Sequence, residues 1–194
     1  DFGPARVAGH PQAAHAQGVI DAIAEAVELA QSGAARAICT LPIHKHALQQ
    51  GAGFAYPGHT EYLAALAGGV KVVMMLACAE LRVVPATIHI PLSAVPETFT
   101  PDLLRDVIRV TSYAMQRDIG LQSPRFAVAG LNPHAGENGA MGREEIAWMI
   151  PCLEGLRGEG YQIAGPLSAD TMFHPEARAR YDVAICAYHD QALI

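Results

Sequence analysis

Residues 125–157 read RFAVAGLNPHAGENGAMGREEIAWMIPCLEGLR, and this stretch decides the fold. It opens on the apolar run Arg125–Leu131, which has the length and composition of a buried strand. A glycine-rich loop follows. From about Glu144 to Arg157 apolar residues recur at helical spacing, with a kink expected at Pro151, which lacks the N–H that a helix interior needs. Strand, loop and helix in this order form the repeating unit of an α/β protein.

Both flanks repeat the pattern. Downstream, Tyr161–Leu167 is weakly extended and Tyr181–Ala187 reads as another buried strand. Upstream, Thr100 and Pro101 give an N-cap followed by proline at the first helical position, and Leu103, Leu104, Val107, Ile108 and Met115 carry that helix to Gly120. Val70–Ala77 and Leu81–Ile90 are β-rich runs separated by only a few residues. That gap is too short for a parallel crossover, so if they pair, they pair antiparallel. Further back come a helix at His59–Ala67, a strand at Arg36–Ile43 and a helix at His15–Gly33 that Gly33 closes. The alternation predicts an α/β protein with a largely parallel sheet and at least one antiparallel pair.

Composition bounds the function. Of 194 residues, 51% are hydrophobic and 16% charged, enough apolar material for a sizeable core. The net charge of −6 and the scattered basic residues argue against a nucleic-acid surface. No apolar run reaches the roughly 18 residues of a membrane span. The opening Asp-Phe-Gly-Pro lacks the basic and apolar regions of a secretory signal. Cys39, Cys78, Cys152 and Cys186 form no CxxC pair, and three of them, Cys39, Cys78 and Cys186, sit in apolar runs as small buried hydrophobes would. A reducing, cytoplasmic setting is the expectation. The start without methionine and the uncapped apolar stop at Ala192-Leu193-Ile194 suggest a piece of a longer chain.

Four of the nine histidines fall at or just beyond strand ends: His44, His89, His134 and His189. In open α/β sheets, ligands bind in the crevice outside the carboxyl ends of the strands. A lone histidine there is usually only solvated or hydrogen-bonded. Three at the same end of buried strands, His89, His134 and His189, are candidates for a metal site with open positions. The loop Gly130–Gly142 ends without GK[ST], which speaks against nucleoside triphosphate binding. It can be read either as an anion cradle at a helix start or as a plain turn.

Six ordered segments together are far more specific than any one of these features. They are LPIHK (41–45), YPGHTE (56–61), VVMML (72–76), GLNPHAGE (130–137), GPLSADT (165–171) and YHDQ (188–191). Over essentially the whole chain the sequence resembles the 4-hydroxythreonine-4-phosphate dehydrogenase family of pyridoxine biosynthesis.

The resemblance implies a three-layer α/β/α fold with a mixed, mostly parallel sheet, like that of isocitrate and isopropylmalate dehydrogenases. Residues 1–52 would belong to a first α/β domain and 53–194 to a second, metal-binding and dimer-forming one. It implies divalent-metal ligands (for zinc, magnesium or cobalt) at His89, His134 and His189, and substrate contacts at His59 and Thr60. Asp190, Asp170 and Lys45 would line the catalytic pocket. Asp190 would take the hydroxyl proton or orient a metal-bound histidine. NAD or NADP would be the oxidant, with no cofactor-binding residue assignable here. The implied partners are a small phosphorylated substrate and a second copy of the chain, with the active site at the subunit junction.

Relatives of this family oxidise phosphorylated sugar acids (threonate or erythronate 4-phosphate) or a cyclohexadiene diol, and His59-Thr60 favours a phosphorylated aliphatic substrate. Two other classes fit the residues alone. A zinc hydrolase would use the same histidines with Glu137 as base. An anion-binding module would use only the glycine-rich loop.

Overall fold

The computed structural model describes residues 4–193. The readings of the first three residues and of Ile194 as chain ends lie outside the described residues. The chain divides into two compact units, one up to Val72 and one from Val73 onward.

The first unit is helical: α1 (Ala16–Gln31), α2 (Lys45–Ala52) and α3 (His59–Leu66). Ala16, Ile23, Leu48, Phe54 and Tyr62 form its core. Phe54, Tyr56 and Tyr62 pack with ring centroids 4.9–5.4 Å apart, within the range where aromatic pairs attract beyond simple burial. Gly51 permits a close approach, because a Cβ there would stand 1.9 Å from the Ala13 carbonyl oxygen. This packing ties residues 53–72 to the first unit. The compact units divide between Val72 and Val73, with Phe54 and Tyr62 buried against α1 and α2.

The second unit holds a five-stranded sheet of order β1-β2-β5-β3-β4. Its strands are β1 (Leu76–Ala77), β2 (Arg82–Thr87), β3 (Arg125–Ala129), β4 (Gln162–Leu167) and β5 (Val183–Tyr188). β1 and β2 pair antiparallel, as their short connection requires. All other pairs are parallel. The helices are α4 (Val95–Thr98), α5 (Pro101–Ala114), α6 (Ile150–Gly158), α7 (Pro175–Arg178) and α8 (His189–Ala192).

Alternation along the strands builds two cores. Phe126, Val128, Val183 and Ile185 face one side, where Leu104, Val107 and Ile108 of α5 and Leu153 and Leu156 of α6 cover them. Ala127, Ala129, Ala184 and Cys186 face the other, against Met172, Tyr181 and Ala192. Burial on both faces is what parallel strands demand. The result is an α/β fold with a mixed, mostly parallel sheet and flanking helices.

Local chemistry sets the helix ends. The Thr100 hydroxyl accepts from the Leu103 N–H at 3.3 Å, capping α5. The sequence's single helix at 144–157 is a π turn, Glu145–Met149, running into α6, with Pro151 in the first turn of α6.

Three expectations fail. Arg36–Ile43 and residues 70–75 are irregular rather than strands, and Cys39 and Cys78 are exposed rather than buried. Among the described residues no neighbouring strand pairs with either run, so β propensity has no ladder to join. Cys152 and Cys186 are buried as expected, and burial pushes the Cys186 thiol up to about 12.

Candidate functional site

Because β2, β5 and β3 are adjacent and parallel, their carboxyl ends lie side by side on one edge of the sheet. His89 follows β2, His189 follows β5 and His134 follows β3. Buried side chains stitch that edge together. Thr87 Oγ1 donates to the Ala187 carbonyl at 2.8 Å. Gln191 Oε1 accepts from the Ala187 N–H at 2.7 Å, and Gln191 Nε2 donates to the Gly130 carbonyl at 2.8 Å. The rings of His89 and His189 face one another with centroids 5.7 Å apart. They border a cavity of about 210 Å³ lined also by Thr87, Ile90, Tyr188 and Asp190.

The backbone is strained where these histidines sit. Among the described residues, the non-glycine positions with positive φ are His89 (55°), His134 (51°), Ala135 (52°), Glu137 (45°) and Asn138 (56°). With Gly136 at 80°, residues 134–138 make one continuous left-handed turn. Left-handed L residues cost roughly 1–2 kcal/mol each. Such strain persists only where the surroundings over-determine it, and it concentrates at functional sites.

Carboxylates accompany each end of the site. His189 Nδ1 lies 2.8 Å from Asp190 Oδ1, the contact by which a carboxylate fixes an imidazole's tautomer and leaves Nε2 as a lone-pair donor. His134 Nδ1 lies 3.4 Å from Glu137 Oε1. The Ser168 hydroxyl donates to Asp170, which holds that carboxyl below its usual range, and the His134 ring adds to the effect.

The donor types and strand positions fit a divalent cation, since imidazole suits zinc and its neighbours. Among the described residues, however, no three His, Cys, Asp or Glu side chains lie close enough to hold one ion. His89 and His189 are gathered, and His134 stands apart from them.

The first unit carries the other expected residues. His59 and Thr60 open α3, and Lys45 opens α2. A Cβ on Gly58 would stand 3.7 Å from Lys45 Nζ and 3.3 Å from Glu61 Oε2, so Lys45 and the start of α3 are neighbours. The N-cap of α3 is Gly58, without a side-chain cap. Neither His59 nor Thr60 is thus a capping residue, and both side chains are half-buried. His44, by contrast, is structural, because its Nδ1 accepts from the Ala47 N–H at 3.2 Å and caps α2.

Much of the glycine-rich loop is closed on itself as a turn. Its Asn132, Ala135, Ala140, Met141 and Arg143 N–H groups donate to acceptors within the loop and the helix start that follows. Sequence reasoning passed over Gln191 and Glu145, both buried. The available signal was a polar residue at an otherwise apolar, strand-flanking position.

This is an α/β protein with histidines and carboxylates at the carboxyl ends of the parallel strands of a mixed sheet, the position of an enzyme site. The family described as pyridoxal phosphate biosynthetic protein PdxA matches residues 2–194, and the chain belongs to it. A 4-hydroxythreonine-4-phosphate dehydrogenase of Paracoccus denitrificans is 65% identical over 98% of this chain and 60% of its own length. The chain therefore spans about 60% of the length of such relatives. The crystal structure of 4-hydroxythreonine-4-phosphate dehydrogenase from Klebsiella pneumoniae superposes with a TM-score of 0.90 at 40% identity, over 95% of this chain and 55% of that one. A terephthalate 1,2-cis-dihydrodiol dehydrogenase from Burkholderia xenovorans is more distant, with a TM-score of 0.74 at 28% identity over 97% of this chain and 59% of that one.

Proposed function

We propose that this protein is a divalent-metal-dependent, NAD(P)-linked dehydrogenase. Its substrate is 4-phosphooxy-L-threonine, oxidised at the carbinol carbon to 2-amino-3-oxo-4-phosphooxybutanoate. That 3-oxo acid then loses carbon dioxide to give 3-amino-2-oxopropyl phosphate on the route to pyridoxal phosphate. The observation that carries the reading is the strained backbone at His89 and His134, on the same sheet edge as His189. The high identity to relatives named for this reaction supports the substrate assignment, and the weaker likeness to the dihydrodiol dehydrogenase agrees with it.

In this reading His89, His134 and His189 would supply the cation's ligands across the junction of two copies of the chain, since within one chain His134 stands apart from the other two. A bound cation would supply Lewis-acid polarisation of the substrate hydroxyl, and a bound nicotinamide would supply the hydride acceptor. Asp190 accepts a hydrogen bond from His189 Nδ1 and so points the Nε2 lone pair outward; of its two expected roles, the 2.8 Å contact favours orientation. Asp170, kept ionised by Ser168, lies on the His134 side and offers a carboxylate to a substrate ammonium or hydroxyl. Lys45, His59 and Thr60, grouped at two helix starts of the first unit, bind the anionic substrate. The active enzyme is a homodimer whose site is completed at the subunit junction, and it works in the cytoplasm. None of the described helices is long and apolar enough to cross a membrane.

The test is NAD(P)H formation by the intact protein on 4-phosphooxy-L-threonine, threonate 4-phosphate and erythronate 4-phosphate, each with and without chelator. Chelator-sensitive turnover preferring the amino substrate is expected. Equal or better turnover of a sugar acid phosphate would reassign the substrate, and hydrolysis without nicotinamide would overturn the reading.

A further inference from the structure

One edge of the sheet is closed by a side chain rather than by a strand. In the order β1-β2-β5-β3-β4 the outermost strands are β1 and β4. An open edge presents a row of N–H and C=O groups that can pair with another chain, and very short edge strands, proline and charged side chains are the usual protections. β1 has only two residues, Leu76–Ala77, and offers little edge to pair with. β4 runs for six, Gln162–Leu167, with Gln162 and Ala164 exposed. It is the edge that needs protection.

Arg157, in the last turn of α6, supplies it. Its Nε donates to the Ile163 carbonyl at 2.9 Å and its Nη2 to the Gly165 carbonyl at 2.7 Å. Main-chain groups two residues apart in an extended strand point to the same side. The other side of β4 is taken by its parallel pairing with β3, so the two carbonyls that Arg157 engages belong to the outer side. One planar guanidinium thus stands where the N–H groups of a further strand would stand, and its fork suits two acceptors held at a fixed spacing. Next along the strand, Pro166 has no N–H to offer. Arg105, Arg109, Arg117 and Arg125 each pair with a carboxylate, whereas the Arg157 hydrogen bonds go to these two main-chain carbonyls.

We propose that Arg157 is a guard on the β4 edge, holding off strand addition by the β4 edge of a second molecule. Two such edges meeting about a two-fold axis would run antiparallel and could satisfy one another, because an interface of that symmetry needs only one self-complementary surface. With the guanidinium in place the outer carbonyls are already engaged, and each molecule brings a positive charge against the other. This inference concerns association of the sheet and does not depend on the reaction proposed above.

The experiment is sedimentation velocity on the intact protein at about 1–100 µM, with amide hydrogen exchange in β4 and the melting temperature measured alongside. Arg157→Met keeps the apolar stem and removes the fork. It should form, in a concentration-dependent way, species of at least about twice the mass of the unaltered protein. Exchange in β4 should slow in those species, since the Ile163 and Gly165 N–H groups lie on the outer side; a mere loss of stability would speed it. Arg157→Met combined with Ala164→Lys restores a charge to the exposed edge and should return the mass to that of the unaltered protein. An unchanged mass for Arg157→Met over the whole range would overturn the proposal. Association without slowed exchange in β4, or association that Ala164→Lys leaves intact, would overturn it too. Should Arg157→Met fail to fold, Arg157→Gln decides on the same readings, because its shorter, neutral amide cannot bridge both carbonyls.

Discussion

Gln191 should be worth more to the second unit than any surface residue, and Gln191→Leu tests this. The side chain is buried and spans two strands, accepting from the Ala187 N–H on β5 at 2.7 Å and donating to the Gly130 carbonyl beyond β3 at 2.8 Å. Leucine fills similar volume and satisfies neither group. Ala187 is fully buried, so its N–H is left without a partner in a dry strand end. Each orphaned buried group costs about 1–3 kcal/mol, while removal of the amide recovers part of its own desolvation cost. A net loss of roughly 2–4 kcal/mol follows. Trp148 is the sole tryptophan and packs on Phe99 with centroids 5.2 Å apart, so its fluorescence in urea reports this unit's unfolding. A midpoint shift equivalent to less than about 1 kcal/mol at unchanged slope would refute the reasoning. It would mean that the two backbone groups find other partners and that the edge is not held by Gln191.

Three further outcomes are expected. His89→Ala, His134→Ala and His189→Ala should each strip most of the bound metal from the intact protein, and full occupancy in any of them, by elemental analysis, removes that residue from the ligand set. His59→Ala and Thr60→Ala should lower kcat/KM at least about tenfold, or roughly 1.4 kcal/mol of transition-state stabilisation, with metal content unchanged. Because Gly58 is the cap of α3, Thr60→Ala should leave the melting temperature nearly unaltered; normal kinetics with reduced stability would return the pair to a structural role. The Arg125 guanidinium holds the Asp182 carboxyl below its usual value of 3.8, through contacts of 2.9 and 3.1 Å. With the folded pKa depressed, this stability is present above about pH 4 and is lost as pH falls through the folded value. Asp182→Asn should therefore cost about 1 kcal/mol at pH 7 and progressively less in acid. A penalty independent of pH between 7 and 2 would count against the ion pair.

The sheet and its long helices were legible because their signals are local or depend on one neighbour. Thr100-Pro101 starts α5 wherever the rest of the chain lies, and the tight link between β1 and β2 permits only antiparallel pairing. Arg36–Ile43 and residues 70–75 misled because β-branched composition reports compatibility with a ladder, and the ladder itself is tertiary. The packing of Phe54, Tyr56 and Tyr62 into the first unit was not legible, because their partners along α1 are 30 or more residues away in sequence. The histidine positions could be anticipated from strand ends. The left-handed turn could not, since Ala135 and Glu137 disfavour that backbone and nothing local in the sequence announces it.

X-ray absorption on the intact, zinc-loaded protein tests the central claim most directly. Three imidazole nitrogens at about 2.0–2.1 Å with the remaining scatterers oxygen, one ion per chain, is the predicted result. Fewer than three imidazoles, sulfur in the coordination shell, or no stoichiometric metal would contradict the assignment of His89, His134 and His189 as a common metal site.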